Sequence, residues 1–539
     1  MSNPFPHDLK LPTSRARAAF RPLLLLPALL FAFCGARSAA QNVAVTTSQY
    51  GNARTGANTR EKILTPANVN AGHFGKLHVI RVDGDVYAQP LYLPQVDVPG
   101  KGKRNLLFIA TEHDSVYAFD ADGDLDAPLW HVSFVNPQLA IVTVRAGESG
   151  CPMIRPEIGI TSTPVIDPAT GTLYVLARTE DHGVPMQWLH ALAVTTGAEK
   201  FGGPVQIRAP GFDPMLENPR AALLLARNTV YLGWGSTCDF GNYQGWLMAY
   251  DAHSLKQLGT FNAAPKEGKS GIWAADAGFA ADDQGNIFVA TGNGKFDVAS
   301  GGADYGDSLL KIGLGAPGLS VRDYFTPYDN DLLNGKDWDL GSGGPVLLPN
   351  QPGPHPHLLV IGGKGATIYL LDRDRLGKFH SGEDSSALQK ISVAADLMGA
   401  PAFWQDHLFV HSDKDALKDY ALKSGQFSTQ PVAQTSLKFP VTSIAAATPA
   451  VSSDGARNGI VWTVETRPFG FSNQEPPAVL HAYDATNISH ELYNSSQNSS
   501  RDGAGSSLRF TIPTVVNGRV YVGAIKEVDV YGPLPSARK

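Results

Sequence analysis

The chain has 539 residues, with 44 basic and 50 acidic side chains, a formal net charge of −6 and three cysteines. Acids and bases are interspersed along it, which removes the electrostatic basis for nucleic acid or an anionic membrane surface as a partner. Composition selects no ligand.

Residues 1–40 read as an export signal. Lys10, Arg15, Arg17 and Arg21 precede an apolar run from Leu23 to Phe33, and Ser38-Ala39-Ala40 offers a small-residue cleavage site before Gln41. The mature protein is therefore expected in the periplasm or secreted. Lipoprotein anchoring at Cys34 is not expected, because bulky Phe33 stands where lipid-attachment sites want a small residue. No later apolar stretch is long enough to span a bilayer, so no transmembrane anchor is expected in the mature chain. Only Cys151 and Cys238 survive signal removal, and in an oxidising compartment the simplest arrangement is one disulfide between them. The absence of any Cys-x-x-Cys-His excludes covalent haem attachment.

The segment 41–74, with Gly, Asn, Thr and charged residues, is expected to wrap the outside of the fold. Gly75-Lys76-Leu77-His78-Val79-Ile80 is a strand-like run without a blade of its own. One pattern then returns to the end of the chain: a β-rich run, a small turn, a second β-rich run and an aspartate-led turn. It begins as Leu107-Phe108-Ile109-Ala110 with Tyr117-Ala118-Phe119-Asp120, and its last copy is Arg519-Val520-Tyr521-Val522 with Val528-Asp529-Val530. About eight units at a spacing of roughly 50 to 70 residues match the period of radial repeats. The expected fold is all-β: an eight-bladed β-propeller of four-stranded antiparallel blades over residues 75–533, with a tail at 534–539. The early strand is expected to complete the last blade, because joining both ends in one sheet leaves no open seam.

Proline precedes the first strand of many units, at Pro90, Pro164, Pro345, Pro401, Pro449 and Pro513, where its missing N–H breaks no ladder bond. Asp120, Asp251 and Asp484 lead tight turns and are structural. Long connections at 135–158, 201–219 and 313–343 are the places to look for functional loops. Superposing the units on their second strands brings one residue from each to a common point: His113, Thr179, Ser236, Asn293, Lys364, Lys414 and Lys526. Rotation about the channel axis should set these polar, largely basic residues at one mouth. An anionic or quinone-like ligand suits such a ring.

From Gly271 to Lys378 the chain resembles the quinoprotein alcohol dehydrogenases, eight-bladed propellers that hold pyrroloquinoline quinone and calcium in the channel. The likeness runs through Gly271-Ile272-Trp273, Ala290-Thr291-Gly292-Asn293-Gly294, Gly306-Asp307-Ser308-Leu309, Asp337-Trp338-Asp339 and Lys364-Gly365-Ala366-Thr367-Ile368-Tyr369-Leu370-Leu371-Asp372-Arg373. It implies Asp339 as the catalytic base and a metal ligand, Asn293 and Asp239 as the other calcium ligands, Lys364 against a quinone oxygen and Trp273 beneath the quinone ring. A carboxylate suits the base position because an alcohol must lose a proton as hydride leaves, and a cation nearby keeps the carboxylate ionised. Calcium favours such oxygen donors.

Two departures stand out. The family's adjacent cysteine pair is replaced by Gly150-Cys151-Pro152, and Asn293 is followed by Gly294-Lys295-Phe296. A bond from Cys151 to Cys238, beside Asp239, would tie two blades together near the channel. Two functions follow as expectations. One is a dehydrogenase of small alcohols or sugars that passes electrons to a separate acceptor. The other is a non-catalytic propeller that binds an envelope protein or glycan. A hydrolase is disfavoured, since no Gly-x-Ser-x-Gly elbow is present.

Overall fold

The computed structural model describes residues 43–148, 150, 153–274, 277–438, 447–466 and 476–535. Among the described residues the strands form eight sheets in chain order, each built on four antiparallel strands running from the channel outward: an eight-bladed β-propeller. In the first blade these are Leu91–Val98, Gly102–Ala110, Ser115–Asp120 and Trp130–Ser133. The second strands read as unbroken apolar runs because both of their faces are covered by neighbouring blades. Leu107 and Ile109 are fully buried, and one apolar cluster joins Val516 of the eighth blade, Leu107 of the first and Ile166 of the second. Trp462, fully buried, fills the corresponding gap beside the seventh blade against Phe74. Truncating such a core tryptophan to alanine costs about 3–5 kcal/mol.

The turn chemistry follows the sequence. Inner strands start directly after Pro90, Pro164, Pro345, Pro401, Pro449 and Pro513, at Leu91, Val165, Val346, Ala402, Ala450 and Thr514. Asp251 and Asp484 accept backbone N–H groups two or three residues on, His253 and Ser254 for the first and Thr486 for the second. The ring closes as expected. Phe74–Arg81 forms the outermost strand of the eighth blade, paired antiparallel with Glu527–Pro533.

Of the segment before that strand, residues 45–58 do not wrap the outside: they run inside the channel, along the inner strands of the blades and in blade order. Val45 pairs with Tyr92 in the first blade, and Thr46 accepts the Ile166 N–H in the second. Asn52 reaches Leu225 in the third blade and accepts the Ala281 N–H in the fourth. Ala53, Thr55 and Gly56 accept from Leu347, Phe403 and Val451 in the fifth to seventh, and Asn58 donates to the Val515 carbonyl in the eighth. The inner-strand partner is the second residue of its strand in each of the eight blades. The expectation of an outer wrap failed because the segment's polarity suits it equally to the channel's unpaired inner edges, whose backbone groups need partners once buried.

The three long connections are less irregular than their sequences suggest. Residues 309–326 form a hairpin, leaving 327–345, with a helix at Asn330–Lys336, to approach the channel. The others carry short strands at Ile141–Arg145, Glu157–Ile158, Val205–Gln206 and Glu217–Asn218.

Candidate functional site

A cavity of about 490 Å³ lies on the channel axis, on the side where the inner strands begin. Tyr87, Arg220, Ser342, Met398 and Phe510 line it from five blades. Each stands four residues ahead of the first residue of its inner strand. The sequence reading missed this ring, although its signal was present: in four of the five blades it is the residue three before the strand-opening proline.

Part of the expected ring of strand-end residues meets this cavity. Ser236 and Lys364 reach the cavity, and Asn293 lies directly behind its wall. His113 instead bonds Glu157 at 2.9 Å, and Lys414 pairs with its neighbour Asp413 at 3.2 Å.

Trp273 forms one wall and fits there because its neighbours lack side chains. A Cβ on Gly235 would fall 2.8 Å from the indole, and one on Gly292 would fall 2.7 Å from Nε1 and overlap the Asp339 carboxylate. The Tyr243 ring meets Trp273 edge-on at 5.8 Å. The Tyr243 hydroxyl donates to Asp239 Oδ1, and burial, followed by the Asp239 charge, holds that hydroxyl far above the ordinary tyrosine range.

Asp339 is placed by the end of the Asn330–Lys336 helix. Asp337 closes that helix in the left-handed region at φ 58°, and the Trp338 N–H returns to the Leu333 carbonyl at 3.0 Å. This reversal leaves Trp338 38% exposed and Asp339 2% exposed. Asp339 Oδ1 accepts the Asn293 backbone N–H at 2.7 Å, and Oδ2 accepts the Lys364 ammonium at 2.5 Å. Burial raises the Asp339 carboxyl above the ordinary range, against the opposing pull of Lys364. Burial also works against the lysine charge, but Asp339 and then Asp337, 3.2 Å away, outweigh it and hold the ammonium above the usual lysine range.

Asn293 donates its side-chain N–H to Asp337 Oδ1, while its own Oδ1 is buried with no partner. Behind Asp339 lies Asp307, fully buried, whose Oδ1 accepts the Leu340 N–H at 3.0 Å. Burial, and then the neighbouring Asp339, push its carboxyl well above the usual range. Asp307 falls within the family-like stretch Gly306-Asp307-Ser308-Leu309, and nothing in that pattern alone announces its burial.

The structure therefore gathers Asp239, Trp273, Asp339 and Lys364 on one cavity, with Asn293 bonded to Asp339 through the wall. Cys238 also lines the cavity. Cys151 lies outside the described residues, and with it the expected Cys151–Cys238 bond. Its neighbour Gly150 packs against the Phe240 ring, two residues from Cys238. Along the same wall, Asn218 Nδ2, Ser236 Oγ, Thr237 Oγ1 and Trp273 Nε1 are buried without a hydrogen-bond partner. Unpaired buried donors cost about 1–3 kcal/mol each, so such a wall suits a ligand bearing acceptors. Among the described residues, no three His, Cys, Asp or Glu side chains cluster at metal-binding spacing.

No family model and no curated protein matches the sequence. Solved structures match the fold. The quinohemoprotein alcohol dehydrogenase of Comamonas testosteroni is 15% identical with a TM-score of 0.60, over 93% of this chain and 83% of that one. Quinohemoprotein alcohol dehydrogenase ADHIIG of Pseudomonas putida HK5 is 13% identical with a TM-score of 0.57, over 93% and 82%. BamB of Moraxella catarrhalis is 12% identical with a TM-score of 0.50, over 85% and 99%. At these identities the likeness establishes a shared propeller fold.

Proposed function

We propose that the protein is an exported dehydrogenase that oxidises small alcohols or sugars with pyrroloquinoline quinone and calcium. The observation that carries this reading is the buried Asp339 carboxylate, held between the Asn293 N–H and the Lys364 ammonium on the wall of a cavity that also presents Trp273.

The residues fit both groups by their chemistry. For calcium, Asp239 and Asp339 supply carboxylate oxygens and Asn293 supplies an amide oxygen that is buried and unpartnered. The donor set mixes two carboxylates with an amide, so it differs from the carboxylate, histidine or cysteine triples that are absent among the described residues. For a planar, carboxylate-bearing quinone, the Trp273 face offers stacking, and Asn218, Ser236 and Thr237 offer donors. Arg220 and Arg509 line the same cavity as cations. When bound, the quinone would supply the hydride acceptor.

Asp339 takes the substrate hydroxyl proton as hydride leaves the carbinol carbon. Each carboxylate oxygen has two acceptor directions, so the Asn293 and Lys364 contacts leave room for one from the substrate. Lys364 opposes the burial that favours the protonated form of Asp339, and it presents positive charge where negative charge develops. Asn293, through its backbone N–H, fixes which way the carboxylate faces. Electrons then leave to a separate acceptor.

The exposed rim favours a second reading, a propeller that binds an envelope protein or glycan. Phe240 is 51%, Tyr328 42% and Trp338 38% exposed, and the loops of Phe240 and Trp338 both border the cavity.

Titrating the purified protein with the quinone in calcium buffer, while following bound-cofactor absorbance and dye reduction with a panel of alcohols and sugars, separates the two. Saturable binding that Asp339→Asn spares, with dye reduction abolished, supports the dehydrogenase. No binding at micromolar quinone sinks it in favour of the binding propeller. Export is tested by N-terminal sequencing, with Gln41 expected as the first residue of the mature protein.

A further inference from the structure

We propose that residues 45–58 are a thread that locks the ring. Seated, it closes the channel beneath the cavity, leaving the cavity a single mouth, and the eight blades hold their closed arrangement only with the thread in place. This goes beyond the dehydrogenase reading and applies equally to a binding propeller.

Three observations carry it. First, the thread bonds every blade at the same inner-strand position and follows blade order, completing one circuit between Val45 on the first blade and Asn58 on the eighth. A segment serving one blade would show no such phase.

Second, the space inside the circuit is filled. Ser48, Gln49 and Arg54 are each fully buried. The chain doubles back there, with the Gly56 N–H donating to the Gln49 carbonyl, and a Cβ on Gly56 would come within 2.6 Å of Gln49 Oε1.

Third, Arg54 is a buried hub. Its Nε donates to the Phe279 carbonyl at 2.9 Å in the fourth-blade approach, and Nη2 to the Leu223 carbonyl at 3.1 Å ahead of the third. Nη1 donates to Thr47 Oγ1 and the Ser48 carbonyl at 2.8 and 2.7 Å within the thread itself. Burial lowers the guanidinium to about 9, and carbonyl and hydroxyl oxygens, with no carboxylate, satisfy it. A buried charge held this way is destabilising if any element around it moves off, so thread and blades are obliged to open together.

The eighth blade contains the C-terminal strands, so the circuit reaches completion only when the whole chain is present. Thread seating then follows blade formation and reports ring closure.

Amide hydrogen exchange on the full chain tests this. The N–H groups of Ile166, Ala281, Leu347, Phe403 and Val451 donate to the thread from five different blades. They should exchange at one shared rate, within about tenfold of the slowest second-strand amides such as Val360, as expected of a single cooperative unit. Exchange of these five more than about tenfold faster than that reference, with the sheets still protected, would mean that the thread lifts off a closed ring, and the proposal fails. Arg54→Leu supplies a second measurement. It should lower the melting temperature by at least about 5 °C and release all five amides together, whereas an unchanged melting temperature overturns the proposal. If that variant does not fold, the exchange pattern of the unaltered protein decides.

Discussion

The Lys364 ammonium lies 2.5 Å from Asp339 Oδ2, the lysine side chain 18% exposed and the aspartate 2%. The pair places a cation and a base on one cavity wall, and neither can be altered without moving the other's proton affinity. Lys364→Met removes the charge that opposes the burial effect on Asp339, so the Asp339 carboxyl moves further up. The acidic limb of the dye-reduction pH profile should shift to higher pH, with about 3 kcal/mol of stability lost from the unpaired buried carboxylate. A profile that stays put would separate Lys364 from the base.

Two other buried acids govern stability. Burial is the leading cause that raises Glu217 to about 8 and Asp85 to about 7. Their unfolded values lie near about 4.3 and 3.9. Both therefore hold protons more tightly folded than unfolded. Their contribution is fully present below about pH 4, and is lost as pH rises through about 7 for Asp85 and about 8 for Glu217. Glu217→Gln and Asp85→Asn should each flatten the fall in melting temperature between pH 5 and pH 9, seen by calorimetry across that range. Variants that track the parent curve would show that these carboxyls are ionised in the folded protein.

Gly292→Ala tests the Trp273 seat. The added Cβ overlaps the Asp339 carboxylate and crowds the indole. Overpacking of this kind costs about 1–3 kcal/mol, and it should abolish quinone binding in the titration while the far-ultraviolet spectrum keeps its β-sheet form. Binding within twofold of the parent would remove Trp273 from the seat.

Mature, unreduced protein unfolded in denaturant should show no free thiol if Cys151 and Cys238 are bonded. Cys151→Ser should then lower stability by about 2–4 kcal/mol. Two reactive thiols in the denatured parent would exclude the bond, and the packing of Gly150 on Phe240 would account for that contact by itself.

The propeller was legible because its signals are local and repeated. An aspartate turn such as Asp484 or a strand-opening proline such as Pro513 carries its meaning within a few residues, and its recurrence from blade to blade reinforces it. Asp239, Asp339 and Lys364 were reached through family likeness, and the fold does bring them to one cavity. Arg220, Met398 and Phe510 were missed because unlike side chains occupy one repeat position, so chemistry conceals what register reveals. The thread was illegible for a different reason. Arg54 has meaning only against Leu223 and Phe279, far along the chain, and no short-range pattern announces such partners.

The register pair Phe74–Pro533 sits at the end of the closing sheet from which the C-terminal tail departs. Tension applied at that tail would therefore part the ladder one rung at a time, beginning there, instead of shearing several rungs at once.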